Sequence, residues 1–276
     1  MSVPLLKRVR HNALFFIGSL IILLLMVCVI FSKPLSTHAP LYQDMKSVLK
    51  PPSMNNYLGT DYLGRDVFSR IIYGSRISVT VGFLSMLFAM LLGVILGLFA
   101  GFYGSWVDNV IMRVTDTMLA FPQIVLALAI VTFLGQSMAN VILALSLTNM
   151  PRFSRLIRGE TLSIMTRDYI RSAKALSAGR SRIMFIHILP NVVHLILVQA
   201  SLTVAGAIFT EASMSFLGLG VPPPDPSWGG MLQSGYSYLG VAPWFAITPG
   251  LAIFLAVMGF NFLGEGTRQY VSGGSR

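Results

Sequence analysis

Residues 152–191 have the sequence RFSRLIRGETLSIMTRDYIRSAKALSAGRSRIMFIHILPN. This stretch contains eight of the twenty Lys and Arg residues of the chain but only two carboxylates, Glu160 and Asp168. Apolar runs of a length typical of membrane helices flank it on both sides. A long basic loop kept on one side of a bilayer is suited to binding a soluble partner, so we expect the chain to be one part of a larger assembly.

The composition indicates an integral membrane protein. Of the 276 residues, 54% are hydrophobic and only 11% are charged, whereas a soluble domain carries roughly 25% charged residues. The net charge of +10 is therefore attributed to cytoplasmic loops, where Lys and Arg accumulate in membrane proteins. The apolar composition predicts contact with membrane lipid. No basic patch is interleaved with exposed aromatic residues, so we expect no nucleic acid partner.

Six apolar runs predict six transmembrane helices in an all-α protein. The first run is longer than the apolar region of a signal peptide and has no cleavage site of small residues, which predicts an uncleaved anchor. The third and fourth runs are short, and we expect them to extend through Met118 and Gln136 and to share a tight turn at 135–137. The six predicted spans are Ala13–Phe31, Ser78–Phe102, Phe121–Leu134, Ala139–Met150, Val192–Thr210 and Trp244–Leu263.

The charges also predict the orientation of the spans. With the N-terminus inside, the inner segments hold fourteen Lys and Arg residues, including Lys7, Arg8, Arg10 and Arg276, and the outer segments hold six. Because Lys and Arg favour the cytoplasmic side, we expect both termini to be cytoplasmic.

The segment before the second span carries the signals of a helix start. Asp66 can cap a helix that begins at Val67 and has one apolar face. We expect an interfacial amphipathic helix leading into the second span, with Arg65, Arg70 and Arg76 at the level of the lipid headgroups. Residues 1–77 would then form an N-terminal unit of anchor helix, outer loop and interfacial helix, and residues 78–276 the core.

Small residues recur at every fourth position of the second span. Such a stripe lets two helix backbones approach closely in a membrane. Packing within the chain and packing against a partner subunit, with sliding during gating, both remain open. The stripe consists of Ser85, Ala89, Gly93, Gly97 and Gly101.

Polar residues are few in or near the spans. Asp116 lies one helical turn from Arg113, which predicts a structural ion pair. Glu211 ends a span, so it is a candidate for the transport pathway, although a structural bond to a loop is an equal alternative. In the following outer loop, Trp228 is expected at the membrane interface, before a short helix at Met231–Leu239. The single cysteine, Cys28, and the scattered histidines predict no metal site.

The basic loop itself predicts a short, slim helix. Asp168 can cap a helix at Tyr169–Ala178 that Gly179 ends, and its Ser and Ala residues would let it lie in a cleft of another protein. A second short helix, Arg182–Ile188, would lead to Pro190 in the first turn of the fifth span.

This loop resembles the EAA motif of ABC-importer permeases, whose pattern is Glu-Ala-Ala, three residues, Gly, nine residues, Ile-x-Leu-Pro. The motif places fall on Arg171, Ser172, Ala173, then Ser177, then His187, Leu189 and Pro190, of which Ala173, Leu189 and Pro190 match.

The rest of the chain resembles one branch of that family, the dipeptide, oligopeptide and nickel importers, and within it the dipeptide-permease C type. The resemblance covers about Tyr57 to Arg268. It includes the motifs Gly59-Thr-Asp-Tyr-Leu-Gly-Arg-Asp66, Gly74-Ser-Arg76, Phe121-Pro122, Ser215-Phe-Leu-Gly-Leu-Gly220 and Trp228-Gly229.

The resemblance implies a type I ABC importer permease fold with six transmembrane helices, in a bacterial cell (inner) membrane. It implies a second permease subunit, two ATPase subunits and an extracytoplasmic binding protein as partners. The loop 152–190 would carry the coupling helix. The implied ATPase-coupling residues are Asp168, Tyr169, Arg171, Ser172, Ala173, Ala175, Leu176, Ser177, Gly179, Leu189 and Pro190.

The chain has no phosphate-binding loop of the P-loop type and no nucleophile–base–carboxylate set. We therefore expect no enzyme activity and no cofactor on this chain, with ATP and Mg²⁺ bound by the partner ATPases. Di- or oligopeptides are the leading substrate class, and nickel (free or chelated) and glutathione are the alternatives. An intramembrane enzyme, an ion channel and a membrane anchor for a soluble partner are the rival functions.

Overall fold

The computed structural model describes residues 13–272, and all the secondary-structure elements of this range are helices. Lys7, Arg8, Arg10 and Arg276, which contributed to the predicted orientation, lie outside the described residues. The helices in chain order are α1 (Ala13–Ile30), α2 (Ser32–Leu35), a 3₁₀ turn (Met45–Ser47), α3 (Val67–Tyr103), α4 (Ser105–Leu119), α5 (Gln123–Leu134), α6 (Met138–Met165), α7 (Asp168–Ala175), α8 (Arg180–Arg182), a π-helical segment (Ile183–Ile188), α9 (Leu189–Phe216), α10 (Trp228–Tyr236) and α11 (Pro243–Ser272).

Four described helices are long and apolar enough to cross a membrane: α1, α3, α11 and the continuous helix Arg180–Phe216. The pair α4 and α5 makes a fifth span if it is counted as one broken helix, bent by 93°. The chain is helical through Met118, as the predicted extension of the third span requires, but it bends at residues 120–122, so the extension is a separate helix. The predicted tight turn is present, since α5 ends at Gly135 (φ +89°) and Ser137 caps α6.

The remaining predicted span lies in α6, which is longer and more polar than expected. Asn149, Ser154 and Thr161 of α6 are fully buried within the protein. Because protein rather than lipid surrounds these positions, α6 does not need the apolar surface that marks a lipid-facing span.

Asp66 caps α3 as predicted, since its carboxylate accepts a hydrogen bond from the Ser69 N–H at 2.8 Å. No separate interfacial helix follows, because α3 runs for 37 residues without a break, through the predicted unit boundary at residue 77. At 1.5 Å per residue this is roughly 55 Å, well beyond the ~30 Å hydrocarbon core. The first turns of α3 therefore extend beyond the membrane and pack against residues 36–66 and 218–242, which we call the outer cap after the predicted orientation.

The stripe of small residues on α3 packs against α6 of the same chain. A Cβ added to Gly97 would lie 2.5 Å from the Ser154 carbonyl oxygen, and one added to Gly93 would lie 2.5 Å from the Phe153 Cβ. Farther along the stripe, Gly101 meets Thr161, and toward the outer end Ser85 donates to the Ile142 carbonyl. The stripe is thus the contact at which two long helices touch backbone to backbone.

The outer cap joins two distant parts of the chain. The indole N–H of Trp228 donates to the Ile71 carbonyl at 3.0 Å, and that of Trp244 donates to the Thr60 carbonyl at 3.4 Å. Trp228 is only 1% exposed, so its predicted place at the membrane interface is wrong. It opens α10, whose start is capped by Ser227, three residues earlier than the short helix predicted at Met231–Leu239.

Candidate functional site

The exposed part of the basic stretch is shorter than the sequence suggested. Residues 152–165 continue α6, and from residue 180 the chain is again helical and runs into α9. Only residues 166–179 project as a loop, and α7 forms most of it. The predicted basic loop therefore consists of two helix extensions with a short helical tip between them.

The tip helix begins one residue earlier than predicted. Arg167 occupies the N-cap position, and Asp168 is the first residue inside α7 rather than its cap. Asp168 still favours the helix, because a carboxylate in the first turn interacts well with the helix dipole. Its contact with Arg171, at 3.7 Å between highly exposed side chains, adds little to stability.

Ser177, rather than Gly179, terminates α7. Ser177 has a left-handed backbone (φ +57°). Its N–H bonds the Lys174 carbonyl at 3.0 Å, and the Ala178 N–H bonds the Ala173 carbonyl at 3.0 Å. These two bonds define a Schellman motif, which usually has glycine at the left-handed position. Ser177 stands at the glycine place of the EAA pattern, so the left-handed backbone explains why that pattern favours glycine there.

The tip has an anchored side and a free side. Ile170 is completely buried and belongs to the main apolar cluster of the protein, and Ala173, one turn later, is half-buried. Leu176 is 84% exposed and Tyr169 is 40% exposed. The side available to a partner therefore carries Leu176 and Tyr169, together with Asp168, Arg171, Ser172, Ala175, Ser177 and Gly179, all of which are exposed.

Leu189 and Pro190 lie apart from this free surface. Leu189 packs against the main apolar cluster, and Pro190 occupies the first turn of α9, as predicted. Proline lacks an N–H and removes a normal helical bond. The preceding turn is correspondingly widened to a π-helix, in which the Leu189 N–H bonds the Met184 carbonyl. These two residues shape the base of the site rather than its contact surface.

Three arginines on α6 tie the base of the tip to α4 and α5. Arg158 makes two bonds to Asp108, Arg155 contacts Asp116 at 2.6 Å, and Arg152 donates to the Gln123 side chain at 2.6 Å. We call these contacts the arginine ladder.

The predicted ion pair between Arg113 and Asp116 is wrong, because Arg155 of α6 takes Asp116. The spacing of the three ladder arginines, one every third residue, was visible in the sequence, but their partners were not.

Glu211 is sealed inside the protein. It is 0% exposed, and its Oε1 accepts a hydrogen bond from the Ser215 hydroxyl at 2.7 Å. Its Oε2 is buried without a hydrogen-bond partner among the described residues. Glu211 is not among the residues that line a polar cavity near the end of α9, whereas Ser215, one turn away, does line it.

The sequence missed a buried ionic cluster in the outer cap. Asp61 is completely buried and accepts bonds from the Arg65 N–H at 3.0 Å and Nε at 2.6 Å. Arg70 Nε lies 3.6 Å from the same carboxylate. The prediction that Arg65 and Arg70 lie at the headgroups is therefore wrong, since both are over 90% buried. The sequence did contain one signal for this cluster, because Asp61 precedes Arg65 by four residues and Arg70 by nine.

A polar cavity opens at the outer end beside this cluster. Its walls come from the outer cap, from the end of α9 and from the loop before α10. The residues that line it include Tyr62, Arg65, Arg70, Gln136, Ser215, Asp225 and Gln233. Among residues 13–272, no three His, Cys, Asp or Glu side chains come together as a metal site.

Comparison with known proteins places these features in a family. Residues 93–273 match the family described as binding-protein-dependent transport system inner membrane component. The chain is 42% identical to the dipeptide transport system permease protein DppC of Alkalihalophilus pseudofirmus, covering 95% of this chain and 86% of that protein. It is 46% identical to the glutathione transport system permease protein GsiD of Pectobacterium atrosepticum, covering 91% and 84%.

The fold also has a solved counterpart. An inward-facing structure of the MetNI methionine ABC transporter contains a chain that superposes with a TM-score of 0.60 at 18% identity, covering 75% of this chain and 97% of that chain. At this identity the likeness concerns the fold, which is that of a type I ABC importer permease.

Proposed function

Because the chain belongs to the family of binding-protein-dependent transport system inner membrane components, the permease subunits of ABC importers, we propose that it forms half of a pathway for short peptides. It is a multi-pass membrane subunit and not itself an enzyme. A second, different permease chain would supply the other half. The sequence relatives named for dipeptide and glutathione transport support peptides, since glutathione is itself a short peptide.

The tip helix α7 is the proposed point of contact with a cytoplasmic ATPase. The observation that carries this proposal is the 84% exposure of Leu176, which caps the C-terminal end of a helix that is anchored by buried Ile170. An isolated leucine so exposed at a rigid helix end is suited to an apolar cleft in a partner. The exposed Tyr169 and Arg171 would flank it.

Movement of the tip would reach the pathway through packed helices. The arginine ladder holds the base of the tip to α4, and the glycine stripe of α3 holds α6 along its length. A push on α7 would therefore move α3 and α6 together as one body. Rocking of such bodies gives alternating access, in which each nucleotide state of the ATPases favours one conformation.

ATP binding is assigned to partner subunits because the sequence lacks the motif for it. It has no P-loop, so ATP and Mg²⁺ would bind to two partner ATPases, and this chain would carry no cofactor. An extracytoplasmic binding protein would deliver substrate to the outer cap. Both termini would be cytoplasmic, and α7 would then lie on the side of the ATPases. Residues 1–77 would serve as the anchor and outer entrance, and residues 78–276 as the core.

Uptake by cells lacking this chain tests the substrate class. Labelled dipeptide, glutathione and nickel would be assayed in parallel, with the wild-type gene restored as the control. Loss of dipeptide or glutathione uptake that the restored gene reverses supports the proposal. Loss of nickel uptake alone would replace it with a metal importer.

Substitution of Leu176 tests the docking surface. In the reconstituted complex, Leu176→Glu should abolish both uptake and substrate-stimulated ATPase activity, since a carboxylate would be buried unpaired in an apolar cleft. The matched control is Met54→Glu, which places the same charge on a 92% exposed residue of the outer cap. Normal coupling in Leu176→Glu would contradict docking through α7.

A further inference from the structure

The helix α4 has an outward apolar face that no described part of the chain covers. Trp106 is 73% exposed, Val110 is 42% exposed and Val114 is 55% exposed. These residues are spaced four apart, so they form one stripe along the helix. Three such side chains on one face need an apolar environment.

The opposite side of α4 is polar and fixed. Asp108 and Asp116 point to the arginine ladder, and Thr115 is completely buried. The helix therefore cannot roll to hide Trp106 without breaking the bonds to Arg158 and Arg155. Its outward face is held outward by the fold.

The direction of α4 suits a membrane surface. It lies at 93° to α5. The helix α5 runs antiparallel to the first half of α6, because Gln123 at its start bonds Asn149 and the Leu134 carbonyl at its end accepts from Asn140. A helix perpendicular to a span lies in the plane of the bilayer. The sharp turn that starts it, with φ +60° at Gly104 and φ +45° at Ser105, comes directly after the end of the spanning helix α3.

Exposed aromatic side chains also flank the apolar face at the ends of the neighbouring helices. Phe99 and Tyr103 at the end of α3 are 39% and 42% exposed, and Phe121, just after α4, is 54% exposed. The stripe therefore lies in the chain between the exposed ends of two apolar helices, α3 and α5, and Trp and Tyr side chains in such a position are typical of the membrane interface.

A cation stands at the border of this face. Arg113 is exposed, and within residues 13–272 its guanidinium makes no ion pair, since Arg155 has taken Asp116. A long basic side chain at the edge of an apolar stripe can reach lipid phosphates while its stem stays in the apolar region.

We propose that α4 is an in-plane membrane helix in the leaflet on the α7 side, with Trp106, Val110 and Val114 among the acyl chains and Arg113 at the lipid phosphates. It anchors the arginine ladder at the membrane surface, so the base of α7 keeps its position relative to the membrane when the tip moves. The proposal rests on the chain being a membrane protein and not on its substrate.

Nitroxide labels on the assembled complex in lipid nanodiscs test this placement. Single cysteines at Val110, Val114 and the exposed polar-side residue Asn109 would be labelled in a background with Cys28→Ser and cysteine-free partners. Collision with oxygen reports lipid, and collision with chromium oxalate reports water. Leu20→Cys on α1, 58% exposed, gives the lipid reference.

We expect the oxygen-to-chromium ratio at residues 110 and 114 to exceed that at 109 severalfold and to approach that at residue 20. A ratio at 110 and 114 equal to that at 109 would place the face in water. Protection from both reagents would place a protein chain over it. Either result would overturn the proposal.

The role of Arg113 has its own readout. Arg113→Gln should lower the ratio at residue 114 in nanodiscs containing phosphatidylglycerol, because the helix would lose its phosphate contact and lie less firmly. Arg113→Lys should restore it, since the cation is kept. An unchanged ratio in Arg113→Gln would remove Arg113 from the anchor.

Discussion

Arg158 and Asp108 are joined by two parallel hydrogen bonds, from Nε to Oδ1 at 2.5 Å and from Nη2 to Oδ2 at 2.6 Å. They lie 50 residues apart in sequence and connect the inner end of α6 to the first turn of α4. Such a fork-to-fork pair fixes both distance and angle. It is the firmest member of the arginine ladder, because its side chains are 32% and 15% exposed, against 58% and 57% for Arg155 and Asp116.

Removing this pair should loosen the base of the tip. Asp108→Asn is expected to destabilise the chain by about 1–2 kcal/mol, as for a hydrogen bond to a charged group that is partly screened. The measurement is the thermal midpoint of the detergent-solubilised chain. Asp116→Asn, in the exposed pair, is the control and should cost less than about 0.5 kcal/mol. Equal losses in the two variants would mean that the geometry of the Arg158 pair confers no advantage.

Ser177→Gly should stabilise the tip. The left-handed conformation of Ser177 costs a residue with a Cβ roughly 1 kcal/mol that glycine does not pay. We expect slower hydrogen exchange of the α7 amides by about threefold to fivefold, which corresponds to roughly 0.7–1 kcal/mol. Ser172→Gly, inside the same helix, should speed exchange instead, because glycine lowers helix propensity. Faster exchange in Ser177→Gly would contradict the Schellman geometry.

Most of the membrane helices could be predicted from the sequence. The apolar runs located α1, α3, α9 and α11 because lipid-facing helices must be apolar along most of their length. The apolar runs predicted α6 too short, because protein surrounds much of this helix and its buried positions can be polar. They also gave no indication of the 93° bend between α4 and α5. The EAA pattern located the tip and put its glycine place at Ser177. The helix-capping rule favoured Gly179 instead, because Ser177 carries a Cβ and glycine adopts the left-handed conformation.

Electrostatic partners were the least predictable part of the site. The spacing within one helix predicted that Arg113 would pair with Asp116, but the observed partner of Asp116 is Arg155, which is 39 residues away. Local spacing can be read from sequence, but a carboxylate pairs with whichever cation the packing of helices brings closest. The same reason hid the partners of Asp61, whose burial follows from the outer cap as a whole.

Gly97→Ala should disrupt the contact between α3 and α6. The added Cβ would lie 2.5 Å from the Ser154 carbonyl oxygen and 2.9 Å from the Ile157 Cβ, so one helix must move. Overpacking of this kind costs about 1–3 kcal/mol, measured as a fall in the thermal midpoint. Gly159→Ala on α6 is the matched control, because nothing lies within 4 Å of its added Cβ, and it should be neutral or slightly stabilising. A neutral Gly97→Ala would show that the two helices are not in close contact.

Asp61→Asn should weaken the outer cap more than any surface change. The substitution leaves the buried guanidinium groups of Arg65 and Arg70 without their carboxylate, and breaking a buried pair costs about 3–5 kcal/mol. We expect a marked fall in chain recovery and faster protease cleavage between residues 36 and 66. Asp225→Asn, on the exposed loop before α10, removes the same charge nearby and should leave both unchanged. Similar behaviour of the two variants would mean that the buried cluster does not hold the cap.

Cysteine labelling in intact cells should place the two ends of the molecule on opposite sides of the membrane. Ser227 is unsuitable as an outer probe, because it is only 2% exposed and caps α10, so we choose Asp225→Cys for the outer cap and Leu176→Cys for the tip. In a Cys28→Ser background, a membrane-impermeant maleimide should label residue 225 in intact cells and residue 176 only after the cells are opened. The reverse pattern would invert the proposed orientation and remove α7 from the reach of a cytoplasmic ATPase. Labelling of both residues in intact cells would mean that the two ends share one side, which the spanning helix Arg180–Phe216 between them does not allow.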